Sequence, residues 1–123
     1  MSATAVDASA IAAVLFMEPA AQTILPRLSG RLIAPLLLPY ELANVCRTKM
    51  RRQPSLAATW LERFRALPGT GIELLPTDFH ELPELAARHG LSAYDAAYLQ
   101  IALREGAPLL TLDARLAKAY EAA

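Results

Sequence analysis

Four short apolar segments, residues 3–6, 31–34, 72–75 and 109–112, are separated by stretches far too long for hairpin turns. Parallel strands need crossovers of roughly a dozen residues or more, usually helical, whereas antiparallel neighbours can be joined by two. The intervals here are of the first kind and carry helical patterning. The predicted order is β-α-α-β-α-α-β-α-α-β-α: an α/β fold with a parallel sheet covered by helices on its faces. Strands that run one way put their carboxyl ends on one edge, where ligands bind in open sheets of this kind.

The crossovers read as follows. Residues 9–16 are rich in Ala, Ile and Leu and end at Glu18 and Pro19; a second helix covers 19–28, with Gly30 as its stop. Over 39–52, Leu42, Val45, Cys46 and Met50 fall near helical spacing, and Arg47, Lys49, Arg51 and Arg52 crowd the last turns, where cations suit the helix dipole. Pro54 ends that helix, and 55–67 repeats the pattern with Trp60, Leu61 and Phe64. Thr77 and Asp78 open a helix that Pro83 kinks or restarts and Gly90 closes. Residues 92–105 are apolar nearly all round, the composition of a helix inside the domain, and 114–122 closes the fold.

Composition narrows the class. A chain of 123 residues, 54% of them apolar, is expected to form one domain, 1–123, and to bury about two thirds of its surface without disulfides or structural zinc. Lys plus Arg and Asp plus Glu number 12 each, so no global charge recruits nucleic acid or a membrane, and any RNA-binding surface must be local. The lone Cys46 lies in an apolar run and reads as a buried thiol, in keeping with the reducing cytoplasm. The apolar start lacks a preceding Lys or Arg and contains Asp7, so no signal peptide is expected, and no run reaches the ~20 residues of a membrane span.

Four carboxylates stand in apolar surroundings: Asp7 in Ala-Val-Asp-Ala-Ser, Glu41 in Pro-Tyr-Glu-Leu-Ala-Asn, Asp95 in Ala-Tyr-Asp-Ala-Ala-Tyr and Asp113 in Leu-Thr-Leu-Asp-Ala-Arg. Asp7 and Asp113 terminate predicted strands, while Glu41 and Asp95 fall in the first turns of predicted helices, so a parallel sheet lets all four converge on one edge. Each has an ordinary explanation as a helix cap or dipole partner; Ser92 and Asp95, for example, have capping-box-like spacing. Taken together, four carboxylates at one edge repel and resist desolvation, and no Arg or Lys adjoins Asp7, Glu41 or Asp95 in sequence. A divalent cation relieves that strain, and hard oxygen donors favour Mg²⁺ or Mn²⁺.

The pattern Val6-Asp7-Ala8-Ser9, Tyr40-Glu41-Leu42-Ala43-Asn44, His89-Gly90-Leu91-Ser92-Ala93-Tyr94-Asp95-Ala96 with Tyr98-Leu99, and Leu110-Thr111-Leu112-Asp113 resembles the PIN-domain ribonucleases. It is most similar to the small VapC-like toxins of bacterial toxin–antitoxin pairs; the likeness runs over nearly the whole chain and implies a PIN-like three-layer α/β/α fold with a central parallel sheet of four to five strands. The resemblance implies that Asp7, Glu41, Asp95 and Asp113 hold Mg²⁺ or Mn²⁺ and are needed for RNA cleavage. It places Ser9, Asn44 and Thr111 beside them, where a hydroxyl or amide orients a carboxylate or a water. It further implies hydrolysis of RNA by a metal-activated water to leave a 5′-phosphate and a 3′-hydroxyl, homodimerisation, and inhibition by a cognate antitoxin.

Two rivals bear weighing. A receiver-type signalling domain wants an adjacent acidic pair after its first strand and a Lys after its last, and this chain has single Asp7 and then Asp113. A catalytically silent PIN-like domain that only binds RNA or protein is expected to have lost acids, and all four positions are filled. His80 and His89 lack ligand spacing. The basic run 47–52, like Arg115 and Lys118, reads first as solvated surface and second as a track for RNA phosphates. Finally, Ile11, Leu15, Phe16, Ile24, Leu42, Trp60, Leu61 and Phe64 are more apolar side chains than a four-strand sheet is expected to cover, which suggests a face for a second chain.

Overall fold

The computed structural model describes residues 2–123. In chain order the elements are β1 (Ala3–Val6), α1 (Ala8–Leu15), α2 (Ala21–Ile24), β2 (Arg31–Pro35), α3 (Leu38–Arg52), α4 (Ala57–Phe64), β3 (Glu73–Leu75), α5 (Leu82–His89), α6 (Ala93–Glu105), β4 (Leu109–Leu110) and α7 (Ala114–Ala122), with short 3₁₀ turns between some of them. The sheet has four strands in the order β3-β2-β1-β4, and every pairing is parallel. β1 is central, so both its edges are hydrogen-bonded, and the register sets Val6 opposite Leu110. One residue further on, Asp7 and Thr111 leave the sheet side by side.

Alternation along the strands divides the core in two. Ala5 and Ile33 face Ile101 and Ala102 of α6, with Ala107. Their neighbours Val6 and Ala34 belong to the larger cluster, with Ala10 and Ile11 of α1, Leu38 and Leu42 of α3, and Trp60 of α4. α6 meets both sets: Ala96 through Ala102 are all buried, as its apolar circumference requires. Gly30 leads into β2 at φ +69°, where a Cβ would stand 3.0 Å from the Ser2 carbonyl oxygen; the approach is part of how β1 and β2 start in register.

Several boundaries differ from expectation, each for a local reason. Residues 19–28 form only the one-turn α2, followed by a 3₁₀ turn at Leu25–Arg27, because Pro26 has no N–H to continue the helix. The helix expected over 55–67 begins as a 3₁₀ turn at Pro54–Leu56 and is regular only over α4. Pro83 restarts the chain as α5 after a 3₁₀ turn at Phe79–Glu81 that Asp78 caps. The last strand stops at Leu110, not Leu112, since the backbone N–H groups of Leu112 and Asp113 turn to side-chain oxygens of Ser9 and Thr111.

The surplus of apolar side chains is absorbed within the chain. Ile11, Phe16, Ile24, Leu42 and Trp60 are buried, Leu15, Leu61 and Phe64 are partly so, and Phe16 meets Trp60 edge-on at 6.1 Å. Burial of these side chains therefore gives no argument for a second copy. Cys46 is buried as expected, and burial pushes its thiol up, away from reactivity. Among the described residues no helix is long and apolar enough to cross a membrane. Leu42 is fully buried one residue after Glu41, so Leu42→Ala should lower unfolding free energy by about 2–5 kcal/mol, measured by urea denaturation followed by circular dichroism.

Candidate active site

Asp7 follows β1 directly and is only 4% exposed, an unusual position for a carboxylate. It caps α1: Oδ1 accepts from the Ala10 N–H at 3.0 Å and from the Ser9 hydroxyl at 2.8 Å. Oδ2 accepts from the Thr111 hydroxyl at 2.5 Å, across from β4. Each hydroxyl has one proton and gives it to Asp7, so the 3.3 Å approach of Ser9 Oγ to Thr111 Oγ1 has no proton left to share. The two hydroxyl oxygens accept in turn, Ser9 from the Leu112 N–H at 2.9 Å and Thr111 from the Asp113 N–H at 3.0 Å. Of the roughly four lone-pair directions of a carboxylate, Asp7 uses three on the protein.

Glu41 lies in the first turn of α3 and is neither cap nor surface salt bridge. One of its oxygens accepts from the Tyr98 hydroxyl at 2.6 Å. Asp95 stands in the first turn of α6, where Ser92 Oγ accepts from the Asp95 N–H at 3.1 Å, one half of the expected capping box. Asp113 does not end a strand as expected but caps α7, accepting from the Leu116 N–H at 3.0 Å. Asn44, one turn beyond Glu41, is exposed and lines a cavity of about 310 Å³ that Glu41 also borders.

The acids share one electrostatic neighbourhood. Burial holds the Asp7 carboxyl above its ordinary range against the pull of Thr111, Ala10 and Ser9, and the charge of Asp113 adds to the rise. Glu41 is raised by burial, lowered in part by Tyr98, and raised further by Asp95 and Asp7. Asp95 is raised by burial and by Asp113 and Asp7; Ser92 and the Arg115 guanidinium oppose that. Arg115 is thus a nearby cation that sequence adjacency did not reveal for Asp95. The ion pairs among the described residues join other acids, Glu73, Glu18, Glu84 and Glu105. No three His, Cys, Asp or Glu side chains among them form a ready-made metal cage. Carboxylates that form no closed set of three would suit a cation that keeps much of its water, as Mg²⁺ does, better than one needing a full shell of protein ligands.

Tyr98, quoted in the sequence only as part of the pattern after Asp95, joins the candidate site as a side chain to which sequence reasoning gave no role. It is 2% exposed, and burial first and Glu41 second hold its phenol well above the usual range, so it stays a donor to Glu41. The available signal was a tyrosine in an otherwise apolar buried helix, whose hydroxyl needs a partner.

The carboxyl shifts have a definite sign. A carboxyl whose folded value is raised costs stability once ionised, a cost absent at low pH and fully present above the folded value. Asp95→Asn should therefore leave the metal-free protein as stable or more stable at pH 7, with the advantage fading as pH falls toward the ordinary Asp value of 3.8. Thermal melts across that range check this, and a clear loss at pH 7 would instead mark Asp95 as a structural cap.

Comparison with known proteins agrees with this fold. The family model "PIN domain" matches residues 4–122. Ribonuclease VapC3 of Pyrobaculum aerophilum is 36% identical over 127 aligned residues, covering 95% of this chain and 94% of the relative. The solved structure titled "Crystal Structure of PAE2754 from Pyrobaculum aerophilum" superposes with a TM-score of 0.79 over 99% of this chain and 87% of that one, at 24% identity, a likeness of fold. A parallel sheet whose carboxyl edge gathers Asp7, Glu41, Asp95 and Asp113, with the family match over almost its full length, makes this chain a VapC-like member of the PIN-domain family.

Proposed function

We propose that the protein is a Mg²⁺- or Mn²⁺-dependent endoribonuclease and the toxin of a toxin–antitoxin pair. The observation that carries this reading is the shared neighbourhood of four carboxylates at the carboxyl edge of the sheet, where the charge of Asp113 acts on Asp7 and Asp95 and the charges of Asp7 and Asp95 act on Glu41. The name and similarity of Ribonuclease VapC3 support the RNA substrate and the cognate antitoxin as partners. A second copy of the chain, as homodimer, and a cytoplasmic setting belong to the same reading.

Asp7, Glu41, Asp95 and Asp113 hold the cation, directly or through water. Asp7 is fixed by its three donors and keeps one lone-pair direction unused by the protein. Tyr98 fixes one oxygen of Glu41, and the cap to Leu116 fixes Asp113. A bound divalent cation supplies the charge that acidifies an attacking water and offsets charge on the leaving oxygen. The water oxygen bonds to phosphorus, the bond from phosphorus to the 3′ oxygen breaks, and that oxygen takes a proton, leaving a 5′-phosphate and a 3′-hydroxyl. The acids repel the RNA phosphate until the cation is present, which couples substrate binding to metal binding.

Asp7→Asn, Glu41→Gln and Asp113→Asn should each lower RNA cleavage by roughly two orders of magnitude or more, and pairs of them should cost little beyond one. Excess EDTA should abolish cleavage by the wild type, and added Mg²⁺ or Mn²⁺ should restore it. Gel assays of a 5′-labelled RNA measure both, and full activity in EDTA would sink the metal mechanism. Tyr98→Phe should keep the fold, lose the donor to Glu41, and reduce activity about 10- to 100-fold with a rise in the metal concentration needed for half-maximal rate.

A further inference from the structure

The cavity beside the acids is lined by apolar Leu37 and Val45 and by residues that neighbour the acids in sequence. Ala8 follows Asp7, Tyr40 precedes Glu41 and Tyr94 precedes Asp95, and all three line it together with Asn44. The first turns of α3 and α6 thus each present an acid toward the cluster and, about 100° round the helix, a tyrosine toward the cavity. Tyr40 is 76% and Tyr94 64% exposed, two large rings left to water at the mouth of one opening. Neither ring is needed by the core clusters.

We propose that this cavity is a nucleobase subsite, in which Tyr40 and Tyr94 stack against the base of a nucleotide next to the scissile phosphate and the Asn44 amide pairs with its edge. The inference rests on the ribonuclease reading and names which part of the RNA is gripped. Exposed aromatic rings are the usual platforms for unstacked bases of single-stranded RNA. The volume, about 310 Å³, is at the small end of small-molecule sites and suits one base rather than a helix. A phosphate seated beside the acids, once a cation has offset their charge, leaves its own nucleotide's base within reach of residues adjoining them in the chain. An aliphatic side chain from a protein would cover Asn44 without pairing its amide, whereas a base edge offers both donors and acceptors to it. The subsite selects single-stranded RNA, because a base can enter only once it has left a duplex.

The test pairs protein variants with abasic scanning. A single-stranded oligoribonucleotide spanning a mapped cleavage site is compared with versions lacking one base at each position in turn. For the wild type, one position next to the cut should show KM raised roughly 10- to 100-fold when its base is missing. Tyr40→Ala and Tyr94→Ala should raise KM for the intact RNA by a similar factor and show little further penalty on the abasic RNA, while Tyr94→Trp keeps the wild-type pattern. Tyr94→Leu, which retains apolar volume, serves if the Ala variants melt early, and Phe79→Ala, an exposed aromatic outside the cavity lining, should change nothing. As a reading independent of cleavage, 2-aminopurine at that position should be quenched on binding Asp113→Asn protein and not after Tyr94→Ala is added. Equal abasic penalties in wild type and Tyr variants, or unchanged RNA kinetics in both Ala variants, would overturn the subsite and point to a protein side chain as occupant. A wild type that cleaves no RNA would overturn the ribonuclease reading itself, a result distinguishable from cleavage without coupling.

Discussion

The register of β1 against β4 is the constraint on which the site depends. Because Val6 is paired with Leu110, the next residues Asp7 and Thr111 must emerge adjacent at the carboxyl edge, and they close the gap with a hydrogen bond. A slip of two residues would keep the faces correct and still separate them, so the pairing is fixed at the site as well as in the core. The Asp7 cluster then spreads outward: Ser9 and Thr111 donate to the carboxylate and accept from the chain entering α7. In this way the buried acid orders both the start of α1 and the approach to Asp113.

α6 makes the second connection. Its buried circumference locks it against β1 and β2, and through Tyr98 it reaches Glu41 on α3, so two helices from different crossovers are tied at the edge where they begin. On the β3 side of the sheet, Gln100 accepts from the Asp78 N–H and donates to the Asp78 carbonyl, both at 2.9 Å, and holds the segment after β3. The same helix thus positions an acid, a donor to a second acid, and a loop, with Ser92 capping its start.

Sequence made the outline of this arrangement legible because its strongest signals are periodic. The apolar run of α6 and the strand at 3–6 are long or sharp enough to read alone, and the parallel order follows from the length of the crossovers. What it left unread depends on single atoms. Pro26 shortened a helix by one missing N–H, and the hydroxyls of Ser9 and Thr111 drew the backbone out of β4 two residues early. Tyr98 fell inside a segment read as apolar nearly all round, because composition counts its ring and not its hydroxyl. Arg115 reaches the field of Asp95 from a different element, α7, so neighbours in sequence could not disclose it. Surplus apolar residues looked like an interface because the sheet was considered alone; the helices cover one another, as Trp60 against Phe16 does.

Asp7 and Asp113 serve the fold as helix caps while they burden it as charges. A cap typically stabilises by about 1 kcal/mol, so removing Asp7 or Asp113 would look structurally costly on that account alone. The direction of the shifts decides which influence governs the buried member: Asp7 receives three hydrogen bonds, each favouring ionisation, and its carboxyl still sits above the ordinary range. Desolvation and the neighbouring Asp113 therefore outweigh the caps. If capping were the whole purpose, the same bonds at an exposed position would have lowered that carboxyl and spared the fold the cost. A carboxylate kept buried at that cost, among three others and with one lone-pair direction unused, carries a charge that the proposed cation would relieve, and the caps are what allow the chain to tolerate that charge without it.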